Sequence, residues 1–357
     1  MSWWDVGLLL LWAVCLLLFL SVIVLGLTYL ERKVLGRIQM RMGPMRTGPY
    51  GLLQPIADAI KLMVKEDIVP SMSDRVLFWL APLAVFVPAF LVWVTVPFTK
   101  DIVVRNLDLG LFYIIAVSVV SITGLVIAGW ASTNKYALLG AGRAVAQLIS
   151  YELPLIIALL GVAMVVGSLD LTKIVEHQKV TPLIYLQPIG FFIFLVAGLA
   201  EVGRTPFDIP QAESELMGGP FIEYSGIHWA MFFLAEYVNT LALAVLTALL
   251  FLGGWNGPLL TGPVWLLLKS GLVLLVIFWL RATLPRLRID QLMAFAWKFV
   301  LPLGFANVVF TGFYVYYGWP GWSIFLLSLA VGGLSFYALE RRRKARIARI
   351  LERRAQA

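Results

Sequence analysis

Charge is what this chain has least of. Only 13% of its 357 residues are Asp, Glu, Lys or Arg, while 61% are hydrophobic. So few ionisable groups cannot clothe a soluble domain of this length, and the composition predicts an integral membrane protein. Cysteine and histidine are nearly absent too: Cys15 lies inside the first apolar run, and His177 and His228 stand far apart. An iron-sulfur cluster takes about four cysteine ligands, and zinc sites need closely spaced Cys and His, so this chain is expected to bind no metal or iron-sulfur cluster. Glycine-rich dinucleotide and P-loop fingerprints are also missing. Any electron carrier therefore belongs to another chain.

Long apolar runs are what the chain has in quantity. Those near 6–30, 76–98, 111–133, 144–168, 183–201, 228–252, 264–284, 299–317 and 320–339 predict an all-α fold of about nine transmembrane helices in one polytopic domain, 1–357. The first run lacks a basic leader and a small-residue cleavage site and exceeds a signal peptide's apolar core, so it is expected to be a retained helix. Of the 28 Lys and Arg residues, 23 fall in the odd-numbered loops and the tail, four in the even-numbered loops, and Lys269 inside the seventh run. The positive-inside rule then predicts an outside N-terminus and a cytoplasmic C-terminus, with loops 31–75 and 201–228 on the cytoplasmic side. Most of the net charge of +8 sits in the tail 340–357, with Arg341, Arg342, Arg343 and Lys344 at its start. Such a cluster just inside a last helix reads as a topology anchor for anionic lipid, with docking of a partner subunit the lesser reading, rather than as a nucleic-acid site.

Two loops break the apolar pattern. In 31–75, Lys33, Arg37 and Arg41 share one face of a helix that Gly43-Pro44 should end. Further on, Gln54, Asp58, Lys61 and Lys65 form a polar stripe opposite Leu52, Leu53, Ile56, Ile60, Met63 and Val64, the pattern of an amphipathic helix lying in the membrane interface. Pro55 fits its first turn and Pro70 closes the segment. Loop 201–228 concentrates five carboxylates, Glu201, Asp208, Glu213, Glu215 and Glu223, and one arginine, Arg204. Acids at a membrane boundary lose hydration, which favours their neutral form and suits proton exchange near neutral pH. Within the runs themselves lie Glu152, two residues before Pro154, and Glu236, near Tyr237 and Asn239. A charge at mid-membrane costs about 2.5–3.5 kcal/mol on the insertion scale, so each calls for either a hydrogen-bonded packing role or a place in a proton relay. For Lys269, a snorkelling interface residue competes with a partner to an acid.

Three stretches carry a family resemblance. Glu31-Arg32-Lys33-Val34-Leu35-Gly36-Arg37 with Arg41-Met42-Gly43-Pro44, then Gly51 to Leu62, then 201–223 (EVGRTPFDIPQAESELMGGPFIE) occur in the order found in the membrane H subunit of bacterial NADH:quinone oxidoreductase, respiratory complex I. That family includes mitochondrial NADH dehydrogenase subunit 1. The chain resembles it over nearly its whole length. The resemblance implies a membrane subunit of a proton-pumping translocase, not catalytic alone, whose substrate quinone enters from the bilayer. It further implies a quinone chamber framed at Arg32, Arg41, Asp58, Lys61, Glu66, Arg204 and Phe207. A proton path is implied at Glu152, Glu201, Asp208, Glu213, Glu215, Glu223 and Glu236, with Arg143 and Arg204 beside the acids. Implied partners are cytoplasmic subunits bearing iron-sulfur clusters, small membrane subunits, antiporter-like subunits and lipid, in a bacterial inner membrane. One position departs from the family: many members have an acid where this chain has Gln211, and an amide holds no exchangeable proton at neutral pH.

Other readings stay open from sequence alone. The equivalent subunit of an energy-converting hydrogenase, or of a quinone reductase fed by ferredoxin or a deazaflavin, would share these motifs in part. A free-standing proton transporter would explain buried glutamates, although two inverted halves with corresponding broken helices are not apparent. A purely structural anchor would explain the span-end tryptophans but not the acid cluster.

Overall fold

The computed structural model describes residues 3–211, 213–321, 325–327, 330–333 and 341, and within these the protein is built of helices and connecting turns. In chain order they are α1 (Trp3–Ile38), α2 (Gln54–Val64), α3 (Arg75–Leu91), α4 (Gly110–Ala131), α5 (Lys135–Val166), α6 (Leu171–His177) and α7 (Leu183–Leu186). Then follow α8 (Pro188–Val202), α9 (Glu213–Leu216), α10 (Gly226–Phe251), α11 (Gly262–Thr283), α12 (Ile289–Phe295) and α13 (Leu301–Tyr317). Among the described residues seven segments are long and apolar enough to cross a membrane, and Pro188–Val202 is a shorter apolar helix. Most of the ninth expected span, near 320–339, and the tail beyond Arg341 lie outside the described residues.

Several boundaries differ from the hydropathy reading, each for a physical reason. The first helix runs on to Ile38 because Glu31, Arg32, Lys33, Leu35 and Arg37 are good helix formers that the membrane window excludes. It stops before Arg41, and Met40 has φ 55, so Arg41 does not continue the face of Lys33 and Arg37. α5 starts nine residues before 144, since Asn134 Oδ1 caps it by accepting from the Tyr136 amide at 2.9 Å, while Arg143 and Gln147 had lowered the local hydropathy. The span expected at 183–201 is divided at Gln187, because Pro188 has no N–H to continue the ladder. The fully buried Gln187 side chain donates to Gly161 O at 2.8 Å and to Thr311 Oγ1 at 3.1 Å. α5 runs unbroken through Pro154. The amphipathic helix forms where expected, with Pro55 in its first turn and Leu52, Leu53, Ile56, Ile60, Met63 and Val64 exposed.

Within lipid, apolar side chains gain little from leaving a solvent as apolar as themselves, so helix association rests on close packing and polar contacts. Small residues serve the first need. A Cβ at Gly124 would come within 2.6 Å of Val85, and one at Gly198 within 2.2 Å of Leu243, so these positions let α4 approach α3 and α8 approach α10. Most of α10 is buried, with Phe251 fully so among Phe191 and Phe194. Around it the ends of α1, α8 and α11 and the start of α10 gather at one end of the bundle, with α2 beside them. Loop 31–75 and loop 201–228 thus meet, and Ser225 Oγ clamps them by donating to Glu66 O and accepting from the Ile68 amide.

Candidate functional site: a buried chain of charges above two cavities

The centre of this end is Arg204, 4% exposed, placed just past α8 by Gly203 (φ 73), whose left-handed turn carries the chain out of the helix. Its Nη1 lies 3.5 Å from Glu31 Oε1 on α1, and its Nε lies 3.1 Å from Glu236 Oε1 on α10, an ion pair without hydrogen-bond alignment. The guanidinium also sits 4.2 Å over the Tyr237 ring. Arg281, near the end of α11, ion-pairs with the same Glu31 oxygen, and Gln211 Nε2 donates to Glu236 Oε2 at 3.1 Å. Two acids and two arginines thus alternate as Arg281, Glu31, Arg204 and Glu236. In a low-dielectric interior each charge offsets its neighbour's desolvation, and loss of one strands the next.

Below this chain are two cavities. One is bounded by Gln147, Pro210, Gln211, Phe221, Phe232 and Glu236; the other runs down between α4, α8 and α10 past Ser118 to Leu250. They share Ser121, Glu201, Val202 and Asn239, so Glu201 lies at their junction. Each has about 80 Å³ available to water centres, several times the roughly 10–15 Å³ that one water needs. Glu152 is half-buried on α5, near enough for its charge to act on Glu201, and its Oε1 has no hydrogen-bond partner. Carboxylates with spare bonding capacity beside spaces of this size can hold protons and pass them through water.

The other expected path residues lie toward the rim. Glu223 Oε1 accepts from Asn134 Nδ2 at 2.7 Å, and Asp208 faces Arg286 at 3.8 Å. Glu215 is exposed and pairs with Arg143 at 2.5 Å; that hydrogen bond holds its carboxyl below the usual glutamate range. Glu213 lies on α9, and its side chain is outside the described residues.

The expected quinone-chamber residues do not form one cluster. Arg32 Nη1 donates to Asp58 Oδ2 at 2.6 Å, joining α1 to α2, and Gln54 Nε2 donates to Asp58 Oδ1 at 3.2 Å. Burial pushes the Asp58 carboxyl up, but the Arg32 and Gln54 hydrogen bonds outweigh it and leave the group below the ordinary aspartate range. Lys61 lines an open cleft with Lys65, Gln211, Phe221, Tyr224 and Trp229. Arg41 and Glu66 are exposed, Arg41 bonding to Gln39 at 2.8 Å. Phe207 is buried against Tyr151, and its carbonyl accepts from Gln147 Nε2 at 2.7 Å. Lys269 pairs with no acid among the described residues: its Nζ reaches back past the start of α11 and donates to Gly254 O at 3.0 Å and Asn256 O at 2.7 Å.

Sequence reasoning missed Glu31, Arg281, Ser118 and Ser121, and met Asn239 only as a neighbour of Glu236. Glu31 opens one of the motifs and so carried a signal, but the hydroxyls and the amide look like ordinary span residues. It also missed the pair of Asp67 with His228, 2.5 Å apart and wedged against Trp79. No group of three or more His, Cys, Asp or Glu that could hold a metal occurs among the described residues.

These features define a class: a multi-pass helical membrane protein in which a buried, charge-balanced chain adjoins carboxylate-lined internal cavities. The family model described as NADH dehydrogenase matches residues 11–312. The NADH-quinone oxidoreductase H subunit of Dehalococcoides mccartyi (strain CBDB1) is 53% identical over 305 residues, covering 85% of this chain and 86% of that protein. The proteins of the same name from Geobacillus kaustophilus and Brevibacillus brevis are 50% identical over 302 residues and 47% over 316, covering 82% and 86% of this chain and 91% and 94% of their own lengths. The chain belongs to the family of NADH-quinone oxidoreductase H subunits.

Proposed function

We propose that this chain is the quinone-chamber membrane subunit of a proton-pumping NADH:quinone oxidoreductase and links quinone reduction to proton movement. The observation that carries the reading is the meeting of two cavities at Glu201, one of them reaching the Arg281, Glu31, Arg204 and Glu236 chain. In this reading a partner subunit's iron-sulfur cluster passes electrons to quinone, held near α1, α2 and α10 by way of Arg32, Arg41, Asp58, Lys61, Glu66, Arg204 and Phe207. The exposed apolar face of α2 offers the isoprenoid tail a surface at bilayer depth. Reduction puts negative charge in the chamber and draws in protons. That change shifts the protonation of Asp208, Glu213 and Glu223, passes to Glu201, Glu152 and Glu236, and biases antiporter-like neighbours. Arg143 and Arg204 hold adjacent acids ionised until then. The membrane is the bacterial inner membrane, with the Glu31 and Arg204 end toward the cytoplasm.

Gentle solubilisation of a tagged chain tests the assembly. Co-purifying flavin, iron-sulfur and antiporter-like subunits with inhibitor-sensitive quinone reduction are expected; a nickel-iron hydrogenase partner, or no partner, overturns the reading. Glu213→Gln is expected to abolish coupled activity while assembly is kept. Near-normal turnover and pumping in that variant would remove Glu213 from the path.

A further inference from the structure

The open cleft at Lys61 and the inner cavity above Glu201 are neighbours, and only Gln211 and Phe221 line both. On the cleft side stand Lys61, Lys65, Tyr224 and Trp229; on the cavity side stand Glu236, Asn239 and Glu201. The frame around Gln211 is fixed. Pro210 is packed so closely on Gly219 (φ 59) that a Cβ there would come within 1.8 Å of the Pro210 carbonyl, and a Cβ at Gly140 would come within 2.6 Å of Gly219 Cα. Phe221 is held by Phe232, ring centroids 4.6 Å apart. The Gln211 side chain is a different matter: it is only partly buried and has flexible torsions, and the bond it makes from its amide nitrogen goes to Glu236 Oε2, 3.1 Å away.

We propose that Gln211, beside Phe221, is the door between the cleft and the inner cavity, held shut by its hydrogen bond to Glu236. An amide cannot carry a proton across by its own ionisation at neutral pH, so protons pass this point only on water that enters when the side chain swings away. Gln211 is thus a positioning residue, setting when Glu236 and Glu201 meet bulk water. No bond to a substrate is made or broken there; the door governs access alone. Glu236 also faces Arg204, which holds its other oxygen, so releasing Gln211 leaves that carboxylate paired on one side.

The inference rests on the proton-path reading for its purpose, but its test does not need turnover. The intact complex in native membranes is mixed rapidly with heavy-oxygen water and pulsed to generate hydroxyl radicals. The readout is the time for heavy oxygen to appear in the oxidation products of Phe232 and Leu125, which line the inner cavity. Gln211→Met keeps length and removes the donor; Gln211→Ala also removes bulk. Each is expected to speed exchange about tenfold, which at ~1.4 kcal/mol per decade is the size of one hydrogen bond to a charged group. Wild-type exchange times in Gln211→Met overturn the latch, and wild-type times in both variants overturn the door. If Gln211→Ala fails to assemble, Gln211→Met carries the test. An isolate that exchanges water as expected yet reduces no quinone would refute the quinone reading and leave the door standing.

Discussion

The two ends of this bundle both bury polar side chains, and they use them in opposite ways. At the end away from the charged chain, Gln178 saturates its amide: Nε2 donates to Ile174 O at 3.3 Å and Leu249 O at 2.8 Å, while Oε1 accepts from the amides of Leu183 at 3.2 Å and Gly253 at 2.9 Å. Asn256 and Lys269 likewise bond to backbone carbonyls. Neutral or fixed polar groups there close the backbone where α6 and α10 end and α7 begins, which lipid requires. At the other end Glu31, Arg204 and Glu236 are joined by charge, and Glu31 Oε2 and Arg204 Nη2 have no hydrogen-bond partner. A saturated amide has one good arrangement, whereas a charged chain with unused bonding positions beside a cavity has several of similar energy. The first holds a fold together; the second can respond to a change of charge.

The contrast breaks most visibly at Arg204. Arg204→Met leaves Glu236 without its arginine and Glu31 with Arg281 alone, a cost of about 3–5 kcal/mol for a stranded buried charge. The complex is expected to be nearly lost from membranes on native gels, and adding Glu236→Gln to recover part of it. Normal abundance of the single variant would mean that Glu236 is not held by Arg204. Next in size is Gln178→Ala, which strands backbone groups at the opposite end and is expected to cost on the order of 3 kcal/mol. Thermal stability should fall while quinone reduction per assembled complex stays at the wild-type level; a selective loss of turnover would erase the distinction between the two ends.

The smallest effect is expected at the Arg32–Asp58 bridge, where the side chains are 43% and 27% exposed and solvent screens the pair to under about 1 kcal/mol. The sign is set by the depressed carboxyl of Asp58. Its contribution is present above the ordinary aspartate range and is lost as pH falls through the lower folded value. Melting temperatures of wild type and Asp58→Asn should therefore differ slightly at neutral pH and converge in acid. A difference that widens in acid would contradict the assignment.

Much of this was legible along the chain. The amphipathic helix at Gln54–Val64 follows from polar residues spaced three and four apart opposite an apolar face, and the spans follow from apolar length, both of which are local properties. Where hydropathy misplaced a boundary, polar residues inside helices were the cause: Arg143 and Gln147 hid the start of α5, and Gln187 with Pro188 hid a break that only buried amide bonding makes tolerable. The acids of 201–223 were visible as a cluster, yet they separate in space into a buried junction at Glu201 and a rim with Glu215 and Glu223.

By itself, the sequence determined that this is a helical membrane protein of the NADH-quinone oxidoreductase family with ionisable groups gathered at one end, because hydropathy, charge bias and motif order are written residue by residue. Tertiary structure alone decided which charges are partners. Glu31 meets Arg281 from 250 positions away, and Arg204 lies between two helices that no periodicity pairs. A charge is neutralised by whatever lies within a few ångströms of it, and in a bundle that is set by which helices are neighbours, not by where their residues fall along the chain.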